Sequence, residues 1–176
     1  MPVTLYIANG LGFSSSARTS VLSSIVRTVT KMGYDVIEPF QDNNELDLSR
    51  ERNVAVEMEI ARRDVDGVRR ADGVLCVVSS PVPDEGVMIE VGLAIAWSKP
   101  VFILNDDFRY SPSNTVLPMN LMLFAGMNAE TWRKYYYTSV DDLENAQKAL
   151  GEWIQHARLP PGFNRELGQP CGHPCA

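Results

Sequence analysis

Two carboxylates within residues 81–100 are the side chains of this chain best suited to do chemistry. Glu90 is the only ionisable side chain in the apolar run Val87–Trp97, where an unpaired charge is costly to bury. Asp84 precedes this run, at a position that can cap the N-terminus of a helix. Two carboxylates at the mouth of one helix suit glycosyl transfer, in which one attacks the anomeric carbon and the other handles the leaving group's proton. The alternative is a Glu at the helix edge that reaches solvent or an arginine.

The elements around these carboxylates place them at the edge of a sheet. The continuous apolar run Val74–Val78 is typical of a strand that is buried on both faces of a parallel sheet. The run Val87–Trp97 is apolar on nearly every side and predicts a buried helix. Asp84 therefore lies just past the carboxyl end of a strand, which is where open α/β sheets bind ligands.

Strands and helices alternate along the rest of the chain. Further strands are predicted at Val3–Ala8, Tyr34–Ile37, Val101–Leu104 and Tyr135–Thr138, and further helices from Ser15 or Ser16 to about Lys31, at Glu51–Arg70 and at Asp141–Ala157. This pattern predicts a single-domain α/β fold over residues 1–158, a doubly wound parallel five-stranded sheet of the flavodoxin or Rossmann type. The Pro/Gly-rich residues 159–176 are expected to form a poorly ordered tail.

Glycines and polar residues follow the first two predicted strands. Gly10 and Gly12 let a ligand approach the backbone, and Tyr6 and Phe13 flank their turn. The dinucleotide-binding fingerprint is excluded, because it needs a third glycine at the helix start. A polar loop over residues 39–44 lies at the same edge of the sheet. We therefore predict a ligand site here; core aromatics and a loop without function are the alternatives.

Composition and charge exclude several classes of partner. The 176-residue chain has a net charge of −6 and no basic cluster, which argues against polymeric nucleic acid, whose phosphates demand Lys and Arg. No apolar run approaches the length of a membrane span, so we expect no membrane partner. Three cysteines without a signal peptide predict a reducing, cytoplasmic environment.

Two groups of residues with metal-binding side chains have simpler interpretations. Asp106 and Asp107 follow the fourth strand without further ligands nearby, which is typical of a plain polar turn. Cys171 and Cys175 flank His173 in the Pro/Gly-rich tail, where a disordered end is expected. We therefore predict no metal and no cofactor.

The motifs taken together resemble those of one known family. Tyr-Ile-Ala begins at Tyr6, Asp-x-Gly-x-x-x-Glu-x-Gly begins at Asp84, Asn-Leu-Met begins at Asn120, and Asp64 lies between the first and second of these motifs. The combination resembles the nucleoside 2-deoxyribosyltransferases over about residues 3–150. The resemblance implies an enzyme that transfers 2-deoxyribose between a 2-deoxynucleoside and a free purine or pyrimidine base.

The resemblance also implies a role for each carboxylate. Glu90 is the implied nucleophile on C1′, which forms a covalent intermediate in a retaining, two-step reaction. Asp84 is the implied acid/base partner, and Tyr6 is the group that orients Glu90. Asp64 is the implied contact to the nucleobase. No cofactor is implied.

An oligomer is a further implication of the resemblance. In the family, the Asn of Asn-Leu-Met reaches the sugar hydroxyls in a neighbouring subunit's site, which points to Asn120 and a homo-oligomer. Phe13, Asn44, Gly86 and Met122 complete the candidate substrate-binding residues together with Asp64. A lone Asn that satisfies the local backbone is the alternative interpretation of Asn120.

Two other functions stay open. A related enzyme class hydrolyses the N-glycosidic bond of nucleoside 5′-monophosphates, and Ser14, Ser15 and Ser16 could receive the phosphate at a helix N-terminus. A non-enzymatic nucleotide-binding module is the other alternative. The identity of the exchanged bases also stays open, since Val87 stands where many family members have Thr.

Overall fold

Five parallel strands form the centre of the protein. The computed structural model describes residues 2–43, 53–79, 82–107 and 116–156. Its sheet has the order β2-β1-β3-β4-β5, and every neighbouring pair is parallel. This is the predicted doubly wound α/β fold, so the fold prediction is confirmed. The strands are β1 (Thr4–Asn9), β2 (Asp35–Ile37), β3 (Gly73–Val77), β4 (Val101–Leu104) and β5 (Tyr136–Tyr137).

Helices cover both faces of this sheet. A π-helical turn, Arg18–Leu22, joins the helix Ser15–Ala17 to the helix Ser23–Met32. The latter ends at Gly33, whose φ of 104° is the left-handed conformation predicted for a glycine at a helix end. No helix in the described part of the chain is both long and apolar enough to cross a bilayer. The helices are α1 (Ser15–Ala17), α2 (Ser23–Met32), α3 (Pro39–Asp42), α4 (Val54–Arg70), α5 (Glu85–Ala96) and α6 (Ala149–His156).

The two faces of the sheet carry separate hydrophobic cores. Side chains alternate along β1, so that Leu5 and Ile7 point to the face covered by α2 and α6. Tyr6 and Ala8 point to the opposite face, which α4 and α5 cover. Tyr6 therefore lies on the same side of the sheet as the helix that carries Glu90.

The segment after β2 differs from the predicted loop. Residues 39–42 form the short helix α3, whose N-terminal N–H groups donate to the Glu38 side chain. Pro39 stands at the start of this helix, where its fixed φ and missing N–H are favourable. Ser14, rather than Ser15 or Ser16, caps the helix after the first turn. Asn44 lies outside the described residues, as do residues 159–176 with their two cysteines.

The burial of α4 and α5 also differs from the prediction. Val87, Val91 and Ala94 of α5 face the core, but Ile89 is 63% exposed. The prediction of a buried helix holds for one face of α5 only, the face that packs against the sheet and α4. Val54 and Met58 of α4 are also exposed, although both are apolar. An apolar sequence alone does not say which faces find a partner.

The C-terminal elements are shorter than predicted. β5 pairs with β4 through Tyr136 and Tyr137 only, because Tyr135 ends a 3₁₀ helix. The single helix expected at 141–157 is a 3₁₀ turn, Asp141–Glu144, followed by α6. Asn145 breaks it: its backbone is extended, and its side chain accepts a hydrogen bond from the Gln147 N–H at 3.0 Å.

Candidate active site

A cavity of about 400 Å³ lies at the carboxyl edge of the sheet, where β1 ends and α5 begins. Parallel strands place their carboxyl ends together, so residues distant in the chain meet here. Of the predicted site residues, the cavity brings together Phe13, Asp64, Asp84, Gly86 and Glu90.

Glu90 is held by Tyr6 at the floor of this site. The Tyr6 hydroxyl donates to Glu90 Oε1 at 2.5 Å. Burial raises the pKa of Glu90 to about 7; the hydrogen bond from Tyr6 opposes this rise, and the nearby carboxylates of Asp64, Asp84 and Glu38 add to it. A carboxylate with this pKa is poised between its two protonation states near neutral pH.

Helix α4 packs against the ring of Tyr6 and fixes its position. The Tyr6 side chain is fully buried, and burial together with the Glu90 charge raises the pKa of its phenol far above the ordinary value. The phenol therefore stays protonated and acts as a donor to Glu90. Gly67 of α4 lies against its ring, since a Cβ at this position would be 2.8 Å from Cε2.

Asp84 caps α5, as predicted. Its Oδ1 accepts a hydrogen bond from the Val87 N–H at 3.1 Å. The turn after β1 approaches this side chain, and a Cβ at Gly10 would be 3.2 Å from that of Asp84. The carboxylate thus has a structural partner on α5 while it lines the same cavity as Glu90.

Asp64 of α4 faces the cavity with a partner that the sequence did not single out. The Asn43 side-chain amide donates to Asp64 Oδ1 at 2.9 Å. Burial raises the pKa of Asp64, the Asn43 hydrogen bond opposes the rise, and the Asp42 charge adds to it. The side-chain oxygen of Asn43, Oδ1, is buried without a hydrogen-bond partner. The cavity thus contains a second carboxylate whose pKa is raised by burial.

Two phenylalanines form the apolar wall of the cavity. Phe13 is 78% exposed and contacts Phe40 of α3 edge-to-face, with ring centroids 4.9 Å apart. The exposed ring is available to stack on a planar ligand. Phe13 was predicted as a site residue, whereas Phe40 was not.

Asn120 and Met122 do not line this cavity within the described part of the same chain. Asn120 is exposed, and its Oδ1 accepts from the Met122 N–H at 3.0 Å, so it caps the 3₁₀ helix Leu121–Phe124. Within the single chain, the Asn120 side chain therefore satisfies the local backbone, which is one of the two interpretations given for it above. Met122 is 73% exposed beside it.

Several residues that line the cavity were not among the predicted site residues, including Asn9, Arg18, Phe40 and Asn43. Asn9 ends β1, Arg18 follows the first turn, and Phe40 and Asn43 belong to the segment after β2. A signal for the last two was present, because Glu38-Pro39 has the pattern of a helix cap followed by a first-turn proline. Among the residues described, no three His, Cys, Asp or Glu side chains come together as a metal group would require.

Solved structures similar to this one include two deoxyribosyltransferases. The 2-deoxyribosyltransferase of the psychrotolerant bacterium Bacillus psychrosaccharolyticus matches with a TM-score of 0.62 and 19% identity, over 81% of this chain and 91% of that one. The 2-deoxyribosyltransferase of Leishmania mexicana matches with a TM-score of 0.61 and 21% identity, over 89% and 100%. A conserved protein from Enterococcus faecalis V583 matches with a TM-score of 0.51 and 22% identity, over 84% and 79%. At these identities the similarity shows the fold.

Sequence comparison identifies the family. No curated protein matches the chain. The family profile of the nucleoside 2-deoxyribosyltransferases matches residues 5–122, which span the stretch from β1 to the Asn-Leu-Met motif and include Tyr6, Asp64, Asp84 and Glu90. Because this match covers most of the chain, the protein belongs to the nucleoside 2-deoxyribosyltransferase family.

Proposed function

We propose that this protein transfers 2-deoxyribose from a 2-deoxynucleoside to a free nucleobase, as an enzyme of nucleoside salvage. One observation carries the proposal: the half-buried Glu90 accepts the hydrogen bond of Tyr6 inside a cavity that also holds Asp84 and Asp64. A nucleophilic carboxylate, a second carboxylate for proton transfer and an apolar wall are the groups that the reaction needs.

The first half-reaction forms a covalent intermediate. A carboxylate oxygen of Glu90 attacks C1′ as the N-glycosidic bond breaks, and the departing base takes the bonding electron pair. Asp84 supplies a proton to that base, which neutralises its developing charge. The transition state is oxocarbenium-like at the sugar, so the negative charge of Glu90 stabilises it before the bond forms.

The second half-reaction reverses these steps with a different base. The incoming base attacks C1′ of the deoxyribosyl ester, and Glu90 leaves as a carboxylate. Asp84 then takes up the proton that the new base loses. Each step inverts C1′, so the overall configuration is retained. Tyr6 keeps Glu90 in one orientation through both steps, because its phenol stays protonated.

The base is proposed to bind between the phenylalanine wall and Asp64. The exposed ring of Phe13 offers a stacking surface, and Gly86 leaves room at the start of α5. Asp64, held by Asn43, can accept hydrogen bonds from N–H groups on the edge of the base.

We further propose a homo-oligomer in which Asn120 completes a neighbouring site. Asn120, Leu121 and Met122 are exposed in the single chain although two of the three are large apolar residues. Exposed apolar side chains next to a polar one are typical of a contact between subunits. In this arrangement Asn120 binds the sugar hydroxyls of the substrate held by the adjacent subunit.

A second candidate function is hydrolysis of the N-glycosidic bond of 2-deoxynucleoside 5′-monophosphates. Among the described residues that line the cavity, Arg18 is the one cation, and it follows Ser14–Ser16 in the chain. An arginine suits a phosphate group because its planar guanidinium offers several donors. The same Glu90 would then act with water as the acceptor.

One assay separates these functions. The protein is incubated with deoxyinosine and adenine, and separately with deoxyinosine 5′-monophosphate. Formation of deoxyadenosine supports the transferase, free deoxyribose 5-phosphate supports the hydrolase, and no turnover of either contradicts both. Incubation with donor alone should add one deoxyribosyl mass to the intact protein. Glu90→Gln should abolish this adduct and lower turnover by roughly 10³-fold or more.

A further inference from the structure

Asn9 and Glu38 are the two polar side chains within the described residues that are almost completely buried, at 4% and 3% exposure. They lie at the carboxyl ends of the neighbouring strands β1 and β2, and Asn9 Nδ2 donates to Glu38 Oε1 at 3.1 Å. Buried polar groups persist where they are satisfied and where they fix a particular arrangement. Asn9 lines the cavity, and Glu38 holds Asn9 through this hydrogen bond.

Asn9 fixes the turn that carries Phe13. Its Nδ2 also donates to the Ile7 carbonyl at 3.1 Å, so the side chain folds back on its own strand. Its Oδ1 accepts from the Gly12 N–H at 3.2 Å. The turn after β1 is thereby bonded to the Asn9 side chain, which in turn donates to Glu38.

Glu38 fixes the segment that carries Phe40. Its Oε1 accepts from the Phe40 N–H at 3.2 Å, and its Oε2 accepts from the Gln41 N–H at 2.9 Å. On the other side, Arg18 donates from Nη2 to the Phe40 carbonyl at 3.1 Å. The backbone of Phe40 is therefore held at both its donor and its acceptor.

The two anchored segments meet at the aromatic wall. The rings of Phe13 and Phe40 are in edge-to-face contact. Gly12 has no room for a side chain, because a Cβ there would be 2.0 Å from Phe40 Cδ2. The position of Phe40 thus depends on backbone contacts that Glu38 and Asn9 set.

We propose that Glu38 is a positioning residue, which acts through Asn9 and the N–H groups of α3 to hold Phe40 against Phe13 and so builds the wall on which the nucleobase binds. This inference rests on the proposed function. Glu38 lies behind the wall, so its effect is exerted on base binding rather than on the bonds that break. A carboxylate is suited to this task because both oxygens accept, and three N–H donors converge on them.

Glu38→Gln is the informative substitution. Gln has nearly the same shape but one acceptor oxygen, and its NH₂ group would face an N–H that needs an acceptor. One buried donor is left without a partner, and the anchor of Phe40 loosens. Asn53→Ala is the matched control: it removes the cap that accepts from the Val56 N–H of α4, a comparable loss away from the wall.

The first measurement needs no ligand. The protein is labelled with 4-fluorophenylalanine, and the fluorine resonances of Phe13 and Phe40 are assigned by replacing each with Leu. Glu38→Gln should shift or broaden these two resonances, while Asn53→Ala leaves them unchanged. Unchanged resonances in Glu38→Gln, or equal broadening in the control, would overturn the inference.

The second measurement separates binding from chemistry. The Glu38 charge helps to raise the pKa of Glu90, so base exchange is measured at about pH 8.5, where Glu90 is ionised in both proteins. There Glu38→Gln should raise the KM for the acceptor base by roughly tenfold and keep kcat for donors with good leaving groups within about threefold. A fall in kcat with unchanged KM would contradict a role in the wall, as would kinetics identical to those of Asn53→Ala. Wild-type protein that exchanges no base would instead overturn the proposed function, and the fluorine spectra still decide whether Glu38 holds Phe40.

Discussion

Gly67 packs directly on the ring of Tyr6, and a methyl group at position 67 would stand 2.8 Å from Cε2. This contact places the phenol that donates to Glu90. Helix α4 thus helps to orient Glu90, the proposed nucleophile, because Gly67 has no side chain. The same helix carries Asp64.

We expect Gly67→Ala to displace the Tyr6 ring and lower kcat by about 10- to 100-fold, since small displacements of a positioning group are costly. Gly92→Ala is the control, because a Cβ on this glycine of α5 meets no atom within 4 Å. The control should retain activity and gain a few tenths of a kcal/mol or more in unfolding free energy from helix propensity. Steady-state kinetics and urea unfolding of both variants test this; normal kcat in Gly67→Ala would refute it.

The pH dependence of activity should follow Glu90. Burial raises the pKa of Glu90 to about 7, and the nucleophile must be ionised, so kcat/KM should rise with pH and level off above about 7. The Tyr6 hydrogen bond lowers this pKa. Tyr6→Phe should therefore move the acidic limb to higher pH. A pH–rate profile of both proteins checks the direction, and a limb that stays in place would mean that another group sets it.

Stability should depend on pH in the opposite sense. The pKa of Glu90 rises from 4.5 to about 7 on folding. Below pH 4.5 both states are protonated and no penalty applies; as the pH rises, the unfolded state ionises first, and above about pH 7 the folded state carries the full penalty, about 3 kcal/mol. Glu90→Gln removes it. The variant should exceed the wild type in urea-unfolding free energy at pH 8 and match it near pH 4; a constant difference would contradict the assignment.

Asp84→Asn separates proton transfer from capping. Asn caps helices about as well as Asp, so the melting temperature should change little. An amide cannot supply the proton, so natural donors should slow by about 10²-fold or more, and donors with good leaving groups much less. Rates of wild type and variant with one natural donor and one donor with a good leaving group show whether the two losses differ. Equal losses on both would leave Asp84 as a cap without a chemical role.

Complementation tests the shared site. Glu90→Gln and Asn120→Ala proteins are mixed under conditions that exchange subunits. In a mixed dimer one site carries both lesions and the other neither, so activity should rise toward about half that of the wild type per exchanged dimer. Subunit exchange is verified by native mass spectrometry of tagged chains. An active monomer, or proven exchange without recovery, would place Asn120 outside the neighbouring site.

The amino-acid sequence by itself determined the fold class and indicated where the candidate site lies. The strands β1, β3 and β4 are largely apolar runs that fit the two-sided burial of a parallel sheet, and the alternating helices predict a doubly wound topology. The strand order itself came from the structure. The position of Asp84 and Glu90 at a strand edge follows from local chain order, because the cap and the helix are contiguous with β3.

Tertiary structure decided which partners these residues have. The family resemblance implies that Tyr6 orients Glu90, but no local pattern relates positions so far apart in the chain. The two residues meet because β1 and α5 lie side by side. Glu38, Asn9 and Phe40 gained their roles in the same way, since ordinary polar and aromatic residues acquire meaning from what packs against them. The exposed face of α5 also depends on the tertiary structure. The hydrophobicity of a segment favours burial as a whole, but only its packing partners decide which of its side chains are buried.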